Sequence, residues 1–240
     1  MAGAQLLFDF RTGQPAPPLL KLSADEERRV LDATFPRRLR TSDDCRPGAT
    51  PSSDEDLAAQ RAAGQVAPSV YETVRGSFTA PGRDETLHLI AVGECGEMPR
   101  SLGQGTTQLV VRGGGRNVVS LNGFYGAIAA VRDVDGDGAH ELLMKVGGFG
   151  QGVLEESATL VSFAGGRERT VHDFADVFVD SCGMRESPTA VRAGVLRYVP
   201  ASPGRPARFL ADFYAARCHR GPGRPPLKNF RYLKSGKLYD

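Results

Sequence analysis

Gly126-Ala127-Ile128-Ala129-Ala130-Val131-Arg132-Asp133-Val134-Asp135-Gly136-Asp137-Gly138-Ala139-His140-Glu141-Leu142-Leu143-Met144 is the stretch on which the reading of this chain turns. Two short apolar runs, 127–131 and 142–144, flank a polar loop carrying two glycines. Short runs joined by Asp-Gly steps read as two strands and a reversal. Both runs are apolar at successive positions instead of alternating, which implies strands covered on both faces and therefore stacked sheets. The same pattern recurs at Leu89-Ile90-Ala91-Val92.

Working outward, strands are expected near 76–80, 86–93, 107–112, 117–121, 126–133, 141–147, 158–163, 170–174, 194–199 and 208–215. Pro81-Gly82-Arg83, Gly113-Gly114-Gly115, Gly165-Gly166 and Pro203-Gly204-Arg205 supply the turns between them. Three apolar hairpins centre near Gly82, Gly136 and Gly204, about 54 and 68 residues apart, a spacing of the order of a four-stranded propeller blade. The expected fold is mainly β: two to three antiparallel blade-like units, as an incomplete propeller or a sandwich-like stack. Residues 1–70 read as a small helical or irregular cap. There, Ser23 and Glu26 form a capping-box signature for a short helix ended by Pro36, and 54–63 is a second helix candidate. Residues 71–218 form the β domain and 219–240 a basic tail.

The loop at 133–141 carries the chemistry. Calcium takes 6–8 oxygen ligands, and carboxylates at alternating positions of a glycine-containing loop can supply them. Asp133, Asp135 and Asp137 occupy positions 1, 3 and 5, with the Ala139 carbonyl at position 7 and the Glu141 carboxylate at position 9. An EF-hand is excluded, because position 12 is Met144 and the flanks are strands. The plain alternative is a solvated reversal. The pattern D-x-D-x-D-G-x-x-[DE] between apolar strands resembles the FG-GAP and VCBS repeats of integrin-type propeller blades and of many exported bacterial proteins. The clear resemblance covers 126–150. It implies Ca²⁺ held by Asp133, Asp135, Asp137, Ala139 and Glu141, in a structural role.

Composition bounds the rest. Hydrophobic residues make up 40% and charged residues 24%, ordinary for a globular protein. Thirty Lys and Arg against 28 Asp and Glu leave a net charge of +2, too balanced to demand a nucleic-acid partner. No run approaches 18 consecutive apolar residues, so no transmembrane segment is read. The opening Met1-Ala2-Gly3-Ala4-Gln5 does not have the form of a signal peptide. Cys45, Cys95, Cys182 and Cys218 contain no C-x-x-C pair, and two disulfides are expected. The expectation is a secreted or periplasmic protein in its mature form, with a cytoplasmic one the less favoured alternative.

Other tempting features read more plainly. His140-Glu141 is not a zincin motif, and His88 and His172 have no evident metal partner. The glycines at 147–152 miss the dinucleotide spacing, and no G-x-S-x-G elbow occurs. The segment from Arg217 to Asp240 carries Arg217, Arg220, Arg224, Lys228, Arg231, Lys234 and Lys237 against Asp240 alone, and reads either as an anion-binding tail or as a solvated extension. The leading functional expectation is a non-enzymatic, calcium-stabilised binding or adhesion module for a protein or polysaccharide. The alternative is a calcium-dependent hydrolase of extracellular polymer, using acids such as Asp173, Asp176 or Asp180.

Overall fold

The computed structural model describes residues 3–35, 66–94, 106–123, 125–183, 190–202, 204–218 and 225–236. Cys45, Cys95 and the helix candidate at 54–63 lie outside them. The described chain is mainly β and forms antiparallel sheets with one short helix near the N-terminus. The elements are β1 (Gln5–Asp9), α1 (Ala24–Thr34), β2 (Val66–Gly76), β3 (Glu85–Glu94), β4 (Thr106–Gly113), β5 (Arg116–Gly123), β6 (Ala127–Arg132), β7 (Glu141–Gly150), β8 (Val153–Ser162), β9 (Arg169–Asp180), β10 (Ala190–Val199), β11 (Arg208–Arg217) and β12 (Arg231–Ser235). They divide into two compact units, one of Met1–Pro17, Ser77–Arg83 and Gly126–Asp240, the other of Pro18–Gly76 and Asp84–Tyr125.

The first unit holds an eight-stranded sheet, a meander from β6 to β12 that curls into a half-barrel. Near its middle, β9 pairs with β10 only over Val191, Arg192 and Ala193, and from Val195 onward β1 takes its place. Leu7 and Phe8 of β1 thereby enter a core shared with Ala129, Leu143, Leu160 and Leu196. The successive apolar positions of β6 and β7 have the expected cause: Ile128, Ala129, Ala130, Leu142, Leu143 and Met144 are all buried. A disulfide joins Cys182, just past β9, to Cys218 at the end of β11, one of the two bridges expected.

The second unit holds a four-stranded meander, β2-β3-β4-β5. Its β4–β5 hairpin turns on Gly114 and Gly115, both at positive φ (59° and 79°), the two-residue reversal that glycine permits. The capping box forms as read: the Ser23 hydroxyl accepts from the Glu26 N–H, and the Glu26 carboxylate accepts from the Ser23 N–H at 2.8 Å. The helix lays Val30 onto Ile90 and Val110 of the sheet.

The three hairpins centred near Gly82, Gly136 and Gly204 are all present, as β2–β3, β6–β7 and β10–β11. Three local expectations shift. The strand expected at 76–80 lies earlier, at Val66–Gly76, and 77–83 is the connection to β3. Its apolar character reports packing of a loop, since Phe78 is fully buried and Thr79 nearly so. β1 arises inside the stretch read as an irregular cap, and β12 inside the basic tail. Each is only five residues long, too short for periodicity to show.

Candidate metal centre

The hairpin that carries the loop closes on the pair Arg132 and Glu141, which leaves eight residues, 133–140, to turn the chain. Gly136 and Gly138 sit at φ of 79° and 85°, so backbone N–H groups face inward where other residues would be strained. Asp133 uses both carboxylate oxygens on them, accepting from Gly136 N–H at 2.7 Å and from Gly138 N–H at 3.1 Å. Asp135 accepts from Asp137 N–H at 3.2 Å, and Asp137 from Ala139 N–H at 2.7 Å. These are side-chain turns of the kind aspartate favours in loops. Val134 and Ala139, both fully buried, pin the loop to the body of its unit.

Glu141 is different. Its side chain has no solvent exposure, and its Oε2 accepts from the Val134 N–H at 3.0 Å. Its Oε1 is buried with no hydrogen-bond partner among the described residues. Burial pushes the Glu141 carboxyl up to about 7, with the charges of Asp135 and Asp137 adding to the effect and the Val134 N–H and Ser162 hydroxyl opposing it. One carboxylate oxygen each from Asp133, Asp135 and Glu141 lie within 4.8 Å of one another. Oxygens bound at about 2.3–2.6 Å on opposite sides of one calcium would be roughly 5 Å apart, so these three can share an ion. Among the described residues the loop makes one ion pair, to Arg169, whose guanidinium reaches Asp135 at 3.9 Å and is largely exposed. It screens the loop weakly and leaves Glu141 uncompensated.

Of the five positions read as ligands, the structure brings together the carboxylates of Asp133, Asp135 and Glu141. Asp137 stands outside that group, with one oxygen engaged by the Ala139 N–H. His140 is a clamp: its N–H donates to the Ser77 carbonyl at 2.6 Å, and its Nδ1 accepts from the Ser77 N–H at 2.9 Å. The connection Ser77–Arg83 thus straps the loop from outside. Pro81 abuts Gly138, where an added Cβ would come within 3.0 Å of the proline ring. No sequence signal marked this strap, because its contacts depend on residues some 60 positions away.

The remaining candidates are accounted for locally. His88 is buried with its ring nitrogens against the Thr73 and Thr86 hydroxyls at 3.0 and 3.2 Å. Burial, helped by Arg112, pulls its imidazole down to about 4. His172 stacks on Phe209 at a centroid distance of 4.7 Å. Asp173 is exposed, Asp176 sits at φ 51° in a bulge of β9, and the Asp180 carboxylate accepts from the Cys182 N–H at 2.9 Å.

Compared with protein-family models, with curated proteins and with solved structures, the chain matches none.

Proposed function

We propose that the loop at 133–141 is a structural calcium site, and that the protein is an exported, non-enzymatic β module that binds or adheres to a protein or polysaccharide. One observation carries the metal: Glu141, a fully buried carboxylate with one oxygen unpartnered among the described residues, brings a carboxylate oxygen within 4.8 Å of oxygens of Asp133 and Asp135. A buried charge without a partner is strongly unfavourable, and a divalent cation is the partner that three carboxylates select. The three converging donors are all oxygens, which favours a hard ion over zinc. Calcium suits the loop better than magnesium, which demands octahedral geometry at shorter distances and sheds water reluctantly. The likeness to FG-GAP and VCBS loops agrees with this reading. The Cys182–Cys218 disulfide supports an oxidising compartment. No helix among the described residues is long and apolar enough to cross a membrane.

Calcium titration by calorimetry, repeated with magnesium, tests the metal. The expected dissociation constant is about 10⁻⁴–10⁻³ M, the range of extracellular modules. At about tenfold excess the ion adds roughly 1.4 kcal/mol, which raises the melting temperature by about 3–6 °C. Equal effects of the two ions, or none from either, would reduce the loop to a turn.

A further inference from the structure

At the far end of the eight-stranded sheet lies a concavity of about 650 Å³, within the size range of small-ligand sites. Ala190, Ala215 and Cys218 line it, and the charged groups among its described lining residues are Arg217, Lys228 and Arg231. Backbone pairing explains their convergence. Ala190 faces Arg217 across β10 and β11, and Ala215 faces Arg231 across β11 and β12. Arg217 and Arg231 are therefore diagonal neighbours on one face of the sheet, about 7–8 Å apart at their Cα atoms. Lys228 arrives from the 3₁₀ turn Leu227–Asn229, which is anchored by the buried Phe230 that follows it.

All three cations are exposed, and none of their side chains has an ion pair or hydrogen bond among the described residues. No described residue lining the concavity carries a carboxylate. Like charges gathered across adjacent strands repel, and an anion seated between them removes that penalty. Elsewhere in the same sheet a cation is neutralised in place: Arg197 pairs with Asp212, and Arg11 with Asp9.

We infer that this concavity binds a short segment of an acidic polysaccharide, through its sulfate or carboxylate groups. The inference rests on the reading of the protein as an exported binding module, and it gives that module a ligand class. Three observations select a glycan among polyanions. None of the described lining residues is aromatic, so they offer a nucleobase no stacking platform. A bilayer surface is flat and cannot enter a concavity. The disulfide through the lining residue Cys218 agrees with the oxidising compartment of the proposed exported module, where charged glycans are abundant polyanions. Small alanines leave room for sugar rings, and Asn229 offers an amide for hydroxyl groups.

The test uses the full chain in calcium buffer with a heparin decasaccharide as probe, and neutral dextran as the uncharged control. Wild type should bind heparin and ignore dextran. Arg217→Gln combined with Arg231→Gln should weaken binding about tenfold or more and lower the salt dependence of log affinity by up to about 2. The matched pair Arg116→Gln and Arg205→Gln, exposed elsewhere on the chain and equal in charge lost, should bind like wild type. Lys228→Gln alone, on an exposed turn, should weaken binding severalfold and serves as the reading if the double variant fails to fold. Absence of heparin binding at low salt overturns the inference, as do equal losses in both double variants. Tighter binding to single-stranded DNA or to phosphatidylserine vesicles overturns it as well. Asp135→Ala separates the two claims. Retained heparin binding with no calcium response in wild type sinks the metal reading alone, and a calcium response without site-dependent heparin binding sinks the glycan alone.

Discussion

Glu141 shows how much a single residue type disclosed and how much it hid. Its place in the pattern Asp133, Asp135, Asp137, Ala139, Glu141 was legible, because carboxylate spacing along a loop is a property of sequence. Its complete burial was not, since that depends on β7 entering the core directly after the loop. Removing the negative charge while keeping the shape should separate stability from binding. Glu141→Gln preserves an acceptor for the Val134 N–H, so in chelator it should raise the melting temperature, while abolishing the calcium response. Asp135→Ala should also abolish most of that response but leave the calcium-free melting temperature nearly unchanged, since the one ion pair it makes among the described residues, with the largely exposed Arg169, is of little worth. Thermal melts in chelator and in calcium decide both, and a calcium shift surviving in either variant would refute the ligand assignment. His88 gives a second prediction at this scale. Its imidazole is held near 4, against an ordinary 6.5, so the folded state refuses a proton that the unfolded chain accepts. The His88 contribution to stability is full above pH 6.5 and falls as the pH drops toward 4, by about 2 kcal/mol between pH 7 and pH 5, while Glu141, held near 7, acts in the opposite sense over the same interval. Urea titrations at the two values should show wild type losing about 2 kcal/mol relative to His88→Asn on going from pH 7 to pH 5; equal changes in the two proteins would contradict it.

Among elements, strands with long apolar runs or glycine turns were readable, and the rest were not. The hairpin around Gly114 and Gly115 could be placed because positive φ at both positions demands glycine. β2 could not, since it carries Pro68, Glu72 and Arg75 and lies at the edge of its sheet, where proline is tolerated. β1 and β12 owe their existence to partners, one to the part of β10 that β9 vacates and the other to β11. The Cys182–Cys218 bridge ties together the ends of β9 and β11, the two neighbours of β10 in the sheet order. It closes a loop of 36 residues, for which chain entropy gives about 4 kcal/mol at most. Cys182→Ser with Cys218→Ser should therefore lower stability by roughly 2–4 kcal/mol. A urea titration in which the double variant unfolds at the wild-type midpoint would show that the sheet holds these ends by itself.

At the scale of the whole molecule, the order of residues along the chain and their order in space part company, which no local reading reveals. The unit that contains the metal loop draws on three separate stretches, Met1–Pro17, Ser77–Arg83 and Gly126–Asp240. The last of these includes seven of its eight strands and would look self-sufficient from sequence. It is not, on physical grounds. Leu7, Phe8 and Phe10 are buried to within a few per cent, and each contributes about 1.5–3 kcal/mol by leaving water. Together that approaches the entire net stability of a domain, roughly 5–15 kcal/mol. Without β1, the second half of β10 also exposes an unpaired edge of backbone donors and acceptors. Without Ser77, the His140 N–H and Nδ1 lose both partners that strap the metal loop. Expressed alone, residues 126–240 should therefore lack a sharp cooperative unfolding transition, bind a hydrophobic dye, and respond weakly to calcium despite retaining Asp133, Asp135 and Glu141. The full chain should do none of these. A fragment that unfolds cooperatively near the melting temperature of the full chain would mean that the N-terminal strand and the strap are accessories, and that the core of the curled sheet closes on strands β6 to β12 alone.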